Sequence, residues 1–153
     1  MKKGLKKTVT TLALAGILAL SGLAGAGMGA FAKPGDNPNV DDSPIVFDNT
    51  GATRYTSWRL KYNTSQVYVY PKSGPKLYYT VQGTIKGQPC IDQESDIVVV
   101  PTGVKASIIN YVHEDGNTYA RLLIQRTAYS TQTTRGVWSP DSTQTYKLFG
   151  WYR

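Results

Sequence analysis

Residues 77–85 read Leu-Tyr-Tyr-Thr-Val-Gln-Gly-Thr-Ile. Leu77, Tyr79, Val81, Gly83 and Ile85 fall on one side of an extended chain, and Tyr78, Thr80, Gln82 and Thr84 on the other. That period of two belongs to a half-buried β-strand. Upstream, Val67 and Val69 alternate with Tyr68 and Tyr70 between Gln66 and Tyr70. Pro71-Lys72-Ser73-Gly74-Pro75 separates the two runs and has strong turn chemistry. The arrangement predicts a β-hairpin.

The same alternation continues outward in both directions. Ile45-Val46-Phe47 is a short segment suited to a sheet edge. Across Arg54–Tyr62, Trp58, Leu60 and Tyr62 oppose Ser57, Arg59 and Lys61. Asp96–Val100 is a β-branched run stopped by Pro101. Val104, Ala106, Ile108 and Val112 line one face of the next strand. Glu114-Asp115-Gly116-Asn117 then carries an Asp-Gly turn, the strongest short-range hairpin signal, into Tyr119–Arg126, where Ala120, Leu122 and Ile124 share a side. Thr131–Trp138 follows, Ser139-Pro140-Asp141-Ser142 makes a turn, and Thr145–Tyr152 is the last strand. Asn63-Thr64-Ser65 matches the glycosylation triplet but reads more simply as a turn. No sustained 3.6-residue period occurs beyond the N-terminal segment. Seven to eight short antiparallel strands predict an all-β sandwich, or a small barrel, over residues 45–153.

The first 32 residues have a different character. Lys2, Lys3, Lys6 and Lys7 precede an apolar run, Val9–Leu20, and small residues lead to Ala30-Phe31-Ala32. Basic head, hydrophobic centre and an A-x-A site predict a secretory signal peptide cleaved after Ala32, and hence a secreted, extracellular protein. Its membrane contact is then limited to the signal peptide. Residues 33–44, with Pro34, Pro38, Asp36, Asp41 and Asp42, hold too little apolar surface to offset their ordering cost and read as a disordered leader. The whole chain carries a net charge of +7, but removing the four N-terminal lysines leaves 13 Lys+Arg against 10 Asp+Glu, a net +3. That is too mild for a nucleic-acid footprint, so no nucleic-acid partner is expected.

Chemistry-bearing residues are few. His113 is the only histidine and Cys90 the only cysteine. His113 beside an exposed turn lacks a nucleophile elbow, a Cys90–His113 pair has no supporting motif, and one Cys with one His does not make a zinc site. No enzyme activity, metal or cofactor is expected. Asp92, Glu94 and Asp96 alternate, yet the segment lacks the glycine and terminal glutamate of a calcium loop, so a solvated carboxylate row is the plainer reading. Gly-Gln-Pro-Cys around Cys90 suggests an exposed loop, and an odd cysteine in an oxidising medium makes a Cys90-linked dimer possible.

Tyrosine interleaved with cations is the distinctive surface pattern. Tyr68, Tyr70 and Tyr78, with Arg59 and Lys61, are the candidate ligand-binding residues, since tyrosine pairs an apolar body with a polar tip. Competing with this is simple cross-strand packing of tyrosines. The expected function is non-catalytic binding of a cell-envelope component, a polysaccharide or a protein partner. Asn117-Thr118-Tyr119-Ala120-Arg121-Leu122 and Gly136-Val137-Trp138-Ser139-Pro140-Asp141-Ser142 resemble segments of small secreted Gram-positive proteins of unknown function. More loosely, the exported, β-rich and nearly cysteine-free chain is similar to the lactococcin-972-like bacteriocins. Those are shorter and carry Gly-Gly-Trp and His-rich features that this chain lacks. That likeness implies, as an alternative, antibacterial action on neighbouring cells.

Overall fold

Two sheets packed face to face, with no closed barrel, form the architecture in a computed structural model that describes residues 40–86, 88 and 91–153. The chain divides into two units, Met1–Phe31 and Ala32–Arg153, and every described residue belongs to the second. The expected signal peptide and its cleavage site, residues 33–39 of the expected leader, and Cys90 all lie outside the described residues.

Eleven strands occur among the described residues: β1 (Ser43–Asp48), β2 (Thr53–Tyr55), β3 (Arg59–Leu60), β4 (Val67–Ser73), β5 (Leu77–Thr84), β6 (Asp92–Gln93), β7 (Val98–Val100), β8 (Ala106–Ile108), β9 (Tyr119–Arg126), β10 (Thr133–Ser139) and β11 (Lys147–Phe149). Sheet A has the order β1-β10-β4-β8-β11. Sheet B has the order β2-β9-β5-β6, with β3 also on β9 and β7 also on β5. The all-β sandwich read from the alternation is the fold. The strand count rises because Arg54–Tyr62 breaks into β2 and β3, and because two- and three-residue strands such as β6 are too short for a periodic signal.

The long segment 77–85 is the centre of sheet B. All eight residues of β5 pair with β9, from Leu77 opposite Arg126 to Thr84 opposite Tyr119. One side of this ladder supplies Leu77, Tyr79, Val81, Ala120, Leu122 and Ile124 to the core. From sheet A, Ile45, Phe47, Val67, Val69, Ala106, Ile108 and Trp138 meet them. Apolar area removed from water between these two inner faces is the main stabilising contribution, at about 25 cal/mol per Å².

Both expected hairpins are corrected. β4 pairs with β10 and β8 in sheet A, whereas β5 lies in sheet B, so the Pro71–Pro75 region carries the chain between layers. Gly74 makes the crossing at φ +87°, and a Cβ there would fall 2.6 Å from the Thr133 carbonyl oxygen. The Asp115-Gly116 turn exists, with Gly116 at φ +83°. It too links sheet A (β8) to sheet B (β9) instead of closing a hairpin. Turn chemistry fixes a reversal, but pairing partners are fixed by which apolar faces must meet in the core. The leader boundary also shifts. β1 begins at Ser43, two residues inside the segment read as leader, and it takes the expected edge position, paired only to β10. The last strand, β11, runs parallel to β8.

Candidate binding site

The alternation of Ser57, Arg59 and Lys61 against Trp58, Leu60 and Tyr62 does not sort the cations to solvent: Lys61 is buried and Arg59 half-buried, whereas Ser57 and Tyr62 are exposed. Arg59 and Lys61 point inward. Lys61 is buried, and its Nζ donates to the Ser65 carbonyl (2.5 Å), the Pro140 carbonyl (2.9 Å) and Asp141 Oδ1 (3.0 Å). The other Asp141 carboxylate oxygen accepts the Tyr62 amide at 2.9 Å. Both side chains of this ion pair are fully buried. Burial lowers the Lys61 pKa, and the Asp141 charge opposes that shift. The pair is a clasp between the chain leaving β3 of sheet B and the chain leaving β10 of sheet A. The Arg59 guanidinium donates to the Asp41 carbonyl (2.6 Å) and to Ser43 Oγ (2.9 Å), and lies 5.8 Å from the centre of the Trp138 ring. Both cations are turned inward because the open side of the sandwich offers them carbonyl and carboxylate oxygens, which a strand-by-strand reading does not contain. Lys61 is therefore not a surface contact. Nearby, Asn63 Oδ1 accepts the Ser65 amide at 2.9 Å, the Asx geometry of the turn expected there.

The three candidate tyrosines do not share a surface. Tyr68 and Tyr70 stand on the outer face of sheet A, whereas Tyr78 stands on the outer face of sheet B. Tyr68 is only 8% exposed, because the Tyr146 ring covers it at 4.9 Å between centres. Burial is the largest cause that pushes the Tyr68 hydroxyl up to about 12. Around this pair the face is cationic. Lys105 Nζ lies 5.8 Å from the Tyr70 ring centre and 5.5 Å from that of Tyr146, and Lys72 Nζ lies 5.7 Å from Tyr70. A cavity of about 200 Å³ opens here between Tyr68, Lys105, Ser142 and Tyr146, with Asp42 on its wall.

The outer face of sheet B is built differently. Tyr119, Arg121, Leu123 and Gln125 alternate with the core residues of β9, and their neighbours across the ladders are Thr84, Gln82, Thr80 and Tyr78 on β5. Tyr55 lies opposite Leu123 on β2. The Arg121 guanidinium is held between two aromatic rings, 4.1 Å from the centre of Tyr55 and 4.4 Å from that of Trp58. Its Nε donates to Gln82 Oε1 at 2.9 Å. Close rings on two sides desolvate the cation, and this burial lowers its pKa from the ordinary guanidinium value. Such a stack is rigid, since the guanidinium plane, the amide and both rings restrict one another.

This stack sits between two depressions. One, of about 410 Å³, lies between Trp58, Ile85, Lys86, Ile91 and Tyr119. The other, of about 430 Å³, lies between Thr53, Tyr78, Ile97, Gln125 and Arg126. From Tyr119 to Gln125 the face runs six residue steps, about 20 Å at ~3.4 Å per residue. Tyr55, Tyr78, Ile85, Ile91 and Ile97 all remain exposed along it. Of this set, only Tyr78 is a candidate from the sequence. Arg121 was legible as a cation on the side of β9 opposite Ala120, Leu122 and Ile124. What the sequence does not show is that Tyr55 of β2 and Trp58 in the link between β2 and β3, more than sixty residues earlier, reach it.

The remaining candidates take plainer places. His113 is exposed in the turn before β9. Asp92 and Asp96 are exposed, and Asp96 Oδ2 accepts the Trp151 amide at 2.9 Å. Glu94, however, is buried, so the expectation of a solvated row of three carboxylates is corrected. Gly83 has no side chain, and the Glu94 carboxyl folds across it: a Cβ at Gly83 would fall 2.8 Å from Glu94 Cγ. Among the described residues, no group of three His, Cys, Asp or Glu side chains is placed to hold a metal ion.

Comparison with known proteins gives a match to one family model, described as a protein of unknown function (DUF2712), over residues 28–142. No curated protein and no solved structure matches the chain.

Proposed function

Because that match covers most of its length, the chain belongs to the DUF2712 family of unknown function, and we propose from its surface chemistry that it is an exported, non-catalytic binding module whose ligand is an extended polysaccharide of the cell envelope. The observation that carries this reading is the Arg121 guanidinium fixed between Tyr55 and Trp58, midway along an aromatic face with a depression at each end. Aromatic side chains offer an apolar surface with a polar rim, and a pyranose ring offers the same combination, apolar on its faces and hydroxylated at its edge. Gln82, Gln125 and the Arg121 guanidinium supply hydrogen-bonding groups between the rings. The elongated shape of the face suits a chain better than a single small molecule, which prefers an enclosed pocket. Rigid aromatic and arginine anchors are also the side chains that carry most binding energy at interfaces.

Retention of the purified mature domain on isolated cell walls and on insoluble polysaccharides tests the proposal. Wild type should be retained above an unrelated β-sandwich, and Trp58→Ala and Arg121→Ala should be washed through. Retention no better than the unrelated sandwich on every matrix would end this reading.

A further inference from the structure

Glu94 occupies a junction of three elements. Its amide donates to the Val81 carbonyl of β5 (2.9 Å), its carbonyl accepts the Tyr111 amide (2.9 Å), and it directly follows β6. The turn that starts at Tyr111 wraps back over it: the Asp115 amide donates to the Tyr111 carbonyl at 2.8 Å, and the Asn117 amide to the Val112 carbonyl at 2.8 Å. Glu94 is 1% exposed. Its Oε1 accepts from Asn117 Nδ2 at 2.5 Å, and the same amide reaches Asp92 Oδ2 at 3.3 Å. Its Oε2 receives no donor, and the Asp115 side chain of the turn acts on the same carboxyl. Glu94 contributes a buried acceptor and Asp115 a partly exposed one, and an orphaned buried carboxylate oxygen is costly. A proton on one of the two carboxyls turns the pair into a hydrogen bond.

We propose that Glu94 and Asp115 share a proton, and that this proton latches the 111–117 turn onto β5 and β6 and is released as pH rises. The charged and titratable groups around it are Asp92 from β6, Asp115 from the turn, and Arg153, which pairs with the outer side of Asp115 at 2.8 Å. His113 and Glu114 of the turn are exposed, and β5 contributes only backbone at Gly83. Burial first, and then the Asp115 hydrogen bond, raise the Glu94 carboxyl to about 7, against an opposing effect from Asn117. The folded state therefore holds the proton more tightly than the unfolded chain, so stability from this group falls as pH rises from the ordinary carboxylate range to about 7.

The latch also regulates the proposed binding face, a consequence that rests on the polysaccharide reading. Ile91 immediately precedes β6 and Tyr119 lies two residues beyond Asn117, and both line the same depression. Ionisation of the pair loosens the supports of both residues, so binding weakens at alkaline pH.

Carboxyl-carbon NMR titration of the purified mature domain, with polysaccharide retention read at about pH 5 and about pH 8, tests the two parts separately. Wild-type Glu94 should titrate near neutrality, and retention should fall severalfold across that interval. Glu94→Gln mimics the protonated acid, since its amide donates where the proton did, so its retention and melting temperature should lose this pH dependence. In Asp115→Asn the new amide donates to an ionised Glu94, which should lower the Glu94 midpoint from its wild-type value, with burial still holding it above the ordinary carboxylate range, even if Glu94→Gln folds poorly. A wild-type Glu94 that titrates as an ordinary carboxylate overturns the latch. So does an unchanged Glu94 midpoint in Asp115→Asn. Absence of retention at every pH, with a neutral Glu94 midpoint, leaves the latch standing and removes only the polysaccharide.

Discussion

The two outer faces of this sandwich are both aromatic and both cationic, yet they use the same residue types to different ends. On sheet A, Tyr146 lies over Tyr68, and two flexible ammonium groups, Lys72 and Lys105, hover above tyrosine rings at 5.5 to 5.8 Å. On sheet B, one guanidinium is clamped between Tyr55 and Trp58 at 4.1 and 4.4 Å and tied to Gln82. A lysine is a hydrated point charge on a mobile stem, whereas an arginine is a plane that stacks. Face A therefore presents diffuse positive charge over a closed tyrosine pair. Face B presents ordered rings with exposed surface between them. Order before binding lowers the entropic cost of association, which is why the second face is the better binding site although the first has more lysines.

The largest effect that can break this contrast acts on both faces at once. The Lys61–Asp141 clasp joins the strand ends of the two sheets, with both charges removed from water. Lys61→Met takes the counter-charge away from a buried carboxylate, a change worth about 3–5 kcal/mol. Chemical denaturation should show that loss at neutral pH. Polysaccharide retention should stay near wild type while the domain remains folded, and disappear with the fold. A Lys61→Met domain as stable as wild type would mean that the clasp is incidental.

The next effect separates the faces. Trp58→Ala removes one wall of the Arg121 stack and part of the depression beside Tyr119. Truncating an anchoring aromatic side chain at an interface costs about 2 kcal/mol or more, so the affinity for polysaccharide should fall at least ~10-fold, the equivalent of ~1.4 kcal/mol. The partly exposed position of Trp58 predicts a small change in melting temperature, which thermal unfolding checks. Equal losses of affinity from Trp58→Ala and from a Tyr70→Ala change on the other face would erase the distinction.

A structural prediction of similar rank concerns β10, which lies between β1 and β4 in sheet A. β10 shifts register against β4 between Arg135 and Gly136. A Cβ on Gly136 would lie 2.5 Å from the Tyr70 carbonyl oxygen and 2.9 Å from the Pro71 Cα. Both are backbone atoms with no rotamer to give way. Gly136→Ala should destabilise the domain by about 1–3 kcal/mol, in the range of overpacked sites, and should disturb Tyr70 while leaving the Arg121 stack intact. Aromatic NMR shifts of Tyr70 and Trp58 in the variant distinguish the two.

How much of this was legible in the sequence follows from what alternation encodes. Period two in residues 77–85 identifies a strand and its two faces, and β9 was readable in the same way. It does not say which sheet a strand joins: Val67–Tyr70 and Leu77–Ile85 flank a good turn, yet belong to opposite layers. Nor does it say which face is buried when both carry aromatics or cations. Charge alone assigns Arg59 and Lys61 to solvent, but Asp141, eighty residues away, makes the interior habitable for Lys61. Glu94 is the same lesson at another place. Nothing in Asp92–Asp96 marks its middle acid for burial. The mark is Gly83, whose missing side chain leaves the room that Glu94 fills. Long-range complementarity decided each of these, and a single sequence shows only one partner at a time.

The smallest expected effect tests whether face A has a role beyond solvation. Lys72 and Lys105 are exposed, and neither pairs with a carboxylate in the two ion pairs found among the described residues. Their contacts with tyrosine rings at 5.5 to 5.8 Å are worth roughly 0.5–1 kcal/mol at exposed sites. Replacing both with alanine should therefore lower stability slightly and leave neutral polysaccharide binding unchanged. Charge at the surface acts over about one Debye length, ~8 Å at physiological salt. The double variant should accordingly lose only the salt-sensitive part of binding to whole cell walls, which carry fixed anions, and titration with salt should bring wild type and variant together. Loss of binding to neutral polysaccharide in that variant would move the site to sheet A and make the Tyr55–Arg121–Trp58 stack a brace for β2 and β3 instead.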